Sequence, residues 1–189
     1  MGTAQRLDGF VGSSPRFWAR VAGFFYLITW ITSLTELSGK VSGWILIACN
    51  WTAPVSFVAV TVLLYFLLRP VSRSLSLVAG LFGLAGSANL LLWRYDLSPF
   101  HIHSQVYFGF CFTLLGVLIL RSAFMPRVLG LLLLLAGVGW LTFVSPRLSA
   151  RCTPYNYIVG GIGEMALMLW LLIMGVNSGR WIEKARVAK

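Results

Sequence analysis

The chain has 189 residues, 58% of them hydrophobic and only 11% charged. A soluble domain carries about 25% charge, so the polar surface is too small to cover the apolar mass and a soluble fold is excluded. The net charge of +10 would suit nucleic acid by magnitude, but the basic residues flank apolar runs. Anionic headgroups at the cytoplasmic face of a lipid bilayer are therefore the expected partner, and no nucleic acid is expected.

In chain order, residues 1–17 read as a cytoplasmic N-terminal segment. The apolar run that follows is longer than a signal-peptide core, so no cleaved leader is expected. Runs of about 20 apolar residues then predict six transmembrane helices, near 18–37, 43–68, 73–93, 104–123, 127–145 and 156–176. Arg69-Pro70 ends the second, Pro126 follows the fourth and Ser145-Pro146 closes the fifth, because proline cannot continue a helix and restricts the residue before it. Residues 177–189 read as a basic cytoplasmic tail. The expected fold is an all-α integral membrane protein, with six transmembrane helices in one bundle spanning 18–176.

Lysine and arginine set the orientation. Eleven lie at one end: Arg6, Arg16, Arg20, Arg69, Arg73, Arg121, Arg127, Arg180, Lys184, Arg186 and Lys189. The opposite loops hold four: Lys40, Arg94, Arg147 and Arg151. The positive-inside rule places both termini in the cytoplasm, as an even number of spans requires. Trp18, Trp44, Trp93 and Trp181 fall near span ends, where interfacial aromatics sit. Cys49, Cys111 and Cys152 have no metal-ligand spacing and imply no disulfide framework.

One residue stands out in the last span, NYIVGGIGEMALMLWLLIMGV: Glu164. It lies about 12 Å inside a helix. A carboxyl there must be neutral, paired or facing a cavity. Polar residues expected at similar outward depth are Asn50, Asn89 and Gln105, with Arg94, Asp96, His101 and His103 just outside. Helical spacing puts Tyr157, Gly160, Gly161 and Met168 on the face of Glu164, and lines up His101, Gln105, Gly109, Thr113 and Gly116 in span four. Pro54 frees the carbonyl of Asn50 at an expected kink. Glu164, Asn50, Asn89, Gln105 and Arg94 are therefore the candidate ligand or proton site, and Asp96, His101 and His103 an outer-loop polar cluster. The glycines are expected to let a polar neighbour approach the carboxyl closely.

The stretches ARVAGFFYLITWITSL (19–34), LRPVSRSLSLVAGLFGL (68–84), GVLILRSAFMPRVLGLLLLLAGVGWL (116–141) and GGIGEMALMLWLLIMGV (160–176) occur in that order. Together they resemble a bacterial multispan membrane family catalogued as domain of unknown function 4386, over most of the chain from Arg20 to Val176. The RSAFMPRVLG turn and the GE…LWLLIMGV ending carry the resemblance best. It implies a multispan protein of the bacterial cytoplasmic membrane and brings no assigned activity.

Three functions remain open. One is a protein that binds or carries a small amphiphilic or protonatable ligand in an outward pocket around Glu164, working as a homodimer if it is a carrier. Another is a non-catalytic structural or regulatory partner of a membrane protein. The third is a membrane-embedded hydrolase using Glu164 with His101 or His103. Most other membrane-enzyme designs are unsupported. Two histidines are too few for a multi-histidine di-iron site, no histidine lies deep in a span for haem, and neither H-E-x-x-H nor G-x-S-x-G occurs. No cofactor and no metal are expected.

Overall fold

A computed structural model of the protein describes residues 14–40, 42–97 and 102–187. Its long helices are α1 (Pro15–Leu37), α2 (Gly43–Leu68), α3 (Arg73–Arg94), α4 (Ser104–Arg121) and α5 (Arg127–Leu141), then α7 (Tyr155–Ile173). A 3₁₀ turn (Thr142–Val144) and a short α6 (Pro146–Cys152) link α5 to α7, and α8 (Ser178–Val187) follows. All six expected spans are helices long and apolar enough to cross a membrane, with ends within a few residues of those read from the sequence. In a bilayer only a helix satisfies its own backbone without water. Large apolar side chains such as Phe24, Ile31, Leu81, Leu135 and Ile162 face outward, as lipid contact requires.

Each span packs on the next, and α7 returns to pack on α1. The six helices thus form a closed ring in sequence order. At the end carrying the chain termini the ring is filled by Leu64, Leu67, Leu68, Leu118, Ile119 and Leu171, all nearly or fully inaccessible. The segment read as a tail is α8, lying across that end. Trp181 is buried rather than interfacial, and its Nε1 donates to the Leu67 carbonyl at 2.7 Å. Arg180 donates to the Ala123 carbonyl at 3.2 Å. Arg16 and Arg20 donate to the carbonyls of Met174 and Ile173 at 3.1 and 3.0 Å, satisfying acceptors that the end of α7 leaves without helical partners. Gly175, at φ 69°, supplies the left-handed residue that stops α7, and its N–H bonds the Trp170 carbonyl.

The small-residue stripe of α4 packs on α5 and lies away from the other polar helices. A methyl group added at Gly137 would lie 2.7 Å from Thr113 N and 2.8 Å from the Gly109 carbonyl oxygen; one at Gly116 would lie 2.8 Å from the Gly130 carbonyl oxygen. Backbone thus meets backbone along this pair, as in other small-residue membrane interfaces. Gly137→Val is expected to lower the thermal midpoint in detergent, at a cost of about 1–3 kcal/mol from overpacking. Gly80→Ala is the control: its nearest neighbour would be 4.0 Å away, so it should leave the midpoint unchanged or raise it slightly.

Candidate functional site

The ring is not filled throughout. Toward the end opposite the termini all six spans line a cavity of about 430 Å³, inside the range of about 300–1,000 Å³ typical of small-molecule sites. Its walls are mostly apolar and aromatic, with Trp30, Phe57, Phe108, Phe112, Trp140 and Tyr157 among them. Two carboxylates, Glu36 and Glu164, and one guanidinium, Arg94, also line it.

Glu164 is the tenth of nineteen residues in α7, so it sits at the middle of the span, deeper than the outer half expected for it. Both carboxyl oxygens are engaged. Tyr26 Oη of α1 donates to Oε2 at 3.0 Å, and Trp140 Nε1 of α5 donates to Oε1 at 2.7 Å. Tyr26 is fully buried, whereas Glu164 keeps partial access to the cavity. The glycines beside it do serve close approach, though of different groups. A methyl group at Gly160 would fall 2.5 Å from the Trp140 ring, and one at Gly163 would fall 2.6 Å from the Leu132 carbonyl oxygen of α5. Gly160 therefore makes room for the indole that reaches Glu164 one turn away. Tyr157 packs edge-on against the same indole, centroids 5.6 Å apart.

Arg94, at the end of α3, forms an ion pair with Glu36 Oε2 at the end of α1 and donates to the Asn50 carbonyl of α2. Pro54 leaves that carbonyl without its helical donor, and the guanidinium takes the place. The pair lies at the cavity wall with both side chains mostly buried. Among the described residues, three buried polar atoms of lining residues have no hydrogen-bond partner: Trp30 Nε1, Glu36 Oε1 and Gln105 Oε1.

The remaining candidates lie elsewhere. Asn89 donates to the Ile102 carbonyl and to Ser104 Oγ, both at 3.0 Å, pinning α3 to the start of α4. Asp96 takes a left-handed conformation at φ 56° where α3 stops, and its side chain is exposed. His103 precedes α4, is exposed and packs near Trp93 and Phe143. It does not line the cavity. His101 lies outside the described residues. Among the described residues no three His, Cys, Asp or Glu side chains gather as a metal would require.

Sequence reasoning missed Glu36, Tyr26, Trp30 and Trp140. A signal existed for Glu36. The chain has only five acids, and this one falls at the same end of the bundle as Arg94.

A protein of Archaeoglobus fulgidus named only "Uncharacterized protein" is 35% identical over 127 residues, which is 62% of this chain and 76% of that one. The family described as Domain of unknown function (DUF4386) matches residues 99–175. The chain belongs to that family. No solved structure matches it. The DUF4386 segment contains Gln105, Trp140, Tyr157, Gly160 and Glu164, while Tyr26, Glu36 and Arg94 precede it.

Removing one member of the ion pair should cost more than removing both. Arg94→Met is expected to lower stability toward, and not beyond, the roughly 3–5 kcal/mol of a fully buried broken pair, since residual exposure softens the loss. Glu36→Leu added to Arg94→Met should recover most of it. Thermal unfolding of the two variants in one detergent checks this.

Proposed function

We propose that the protein binds a small amphiphilic or protonatable ligand in the cavity beside Glu164, and that as a carrier it moves this ligand with two chains working together. The observation that carries the reading is a mid-span carboxyl fixed on both oxygens yet open on one side to a cavity of about 430 Å³. Intramembrane acids mark ligand and proton sites when they face such spaces. A carboxyl serving only to lock helices would work equally well with the space filled. The two hydrogen bonds themselves favour a second reading, a structural or regulatory partner in which Glu164 only ties α1, α5 and α7 together. In both readings the membrane is the bacterial cytoplasmic one. The termini and the arginine-rich end face the cytoplasm and its anionic headgroups, and the cavity faces outward.

Native Cys152 reports the orientation, because it is partly exposed at the cavity end while Cys49 and Cys111 are buried. A membrane-impermeant maleimide should label intact cells at Cys152, and Cys152→Ser should abolish the label. Labelling only after permeabilisation would invert the topology. Dicyclohexylcarbodiimide, which reaches carboxyls through apolar paths, should modify Glu164 in membranes, and Glu164→Gln should remove the modification. Absence of modification in folded protein would favour the structural reading.

A further inference from the structure

The chemistry of the cavity names a class of occupant, granted the reading of the cavity as a ligand site. Two carboxylates and one guanidinium line it, and the guanidinium is already committed to Glu36 and to the Asn50 carbonyl. One negative charge, that of Glu164 when it ionises, is left for a ligand to meet. An anionic ligand would approach this carboxylate with no free cation among the described wall residues to receive it. A neutral ligand would offer an ionised Glu164 no counter-ion in an apolar surround, where electrostatic interactions are strong.

The carboxyl itself points the same way. Each oxygen of Glu164 has accepted one bond, and a carboxylate oxygen has two lone-pair directions. The carboxylate therefore keeps acceptor capacity and suits a ligand that brings N–H groups. Rings of Trp30, Phe57, Phe108, Phe112, Trp140 and Tyr157 surround it, and aromatic faces attract cations while their bulk takes up apolar surface.

We infer that the cavity takes a protonated amine bearing an apolar substituent, with its ammonium on the free side of the Glu164 carboxylate and its apolar body among the aromatic rings. Such a ligand neutralises the cavity, donates to the Glu164 carboxylate and fills the aromatic space.

Three compounds on one skeleton test this: 2-phenylethylamine, 2-phenylethanol and phenylacetate, which are cationic, neutral and anionic at pH 7. They are titrated calorimetrically into the purified full-length protein in detergent, with micelle heats subtracted. The amine should bind about tenfold or more tighter than the alcohol, the scale of one charge-assisted contact, and the carboxylate should be weakest. Glu164→Gln should erase the amine's advantage over the alcohol. The wild-type comparison stands alone if that variant fails to fold. Equal affinity for alcohol and amine, or tighter binding of the carboxylate, would overturn the amine assignment and leave the cavity as a ligand site. Binding of none of the three would overturn it as well, while carbodiimide modification of Glu164 decides separately whether the cavity is a site at all.

Discussion

The bonds from Tyr26 and Trp140 to Glu164 hold the ring closed. A charged side chain at a helix centre costs about 2.5–3.5 kcal/mol on the insertion scale, and a hydrogen bond to a charged group returns about 1.5–3 kcal/mol. Two such bonds are enough to offset the carboxyl. They come from α1 and α5, the two neighbours of α7 in the ring. The seam between α1 and α7 joins segments 138 residues apart at its polar bond and has no short turn to enforce it. The acid thus ties the last span to both its neighbours at mid-depth, beside the Arg16 and Arg20 bonds at the end of the same seam.

The spacing around that acid follows from glycine. Gly23 lets α1 touch the backbone of Leu172, Gly163 brings α7 onto α5, and Gly160 admits the Trp140 indole. Lipid offers helices no hydrophobic drive to associate, so close backbone approach and hydrogen bonds must supply it. Bulky aromatics then prop the other side open. Phe57 meets Phe108 and Phe112 edge-on, at 5.0 and 6.1 Å, and such rings cannot collapse onto Gly161 as flexible aliphatic chains could. The cavity is what remains between an interface set by glycine and a wall set by aromatic rings.

This division explains which features are legible in the sequence. The six spans are, because length and hydropathy fix them locally. Glu164 is legible too, as a carboxyl with nothing polar near it in sequence. The freed Asn50 carbonyl follows from Pro54 four residues on, but its partner does not, since Arg94 is 44 positions away. Asn89, Asp96 and His103 share a depth with the cavity without sharing its face. Depth is read from position along a span, whereas facing depends on how the neighbouring helices are rotated. The tail read as mere charge folds as α8, because Trp181 finds a carbonyl on α2 that no local pattern announces.

The two ends of the ring put their arginines to the same use but differ in what surrounds them. At the end with the termini, arginines that mark orientation in the sequence also cap carbonyls: Arg16 and Arg20 on α7, and Arg180 on the α4–α5 turn. Cations at a helix C-terminus are favoured by its dipole as well, so charges required by topology serve as seals. At the other end Arg94 has the same task, holding the Asn50 carbonyl, but it draws Glu36 with it into the bundle wall. A paired acid there leaves one oxygen without a partner, and an unpaired oxygen is costly in a dry interior. Unpaired atoms do not by themselves distinguish the ends, because Ser76 Oγ and Trp170 Nε1 are buried without a partner toward the closed one. What sets the open end apart is the cavity, with the Glu164 carboxyl on its wall where a group from outside the chain can reach it.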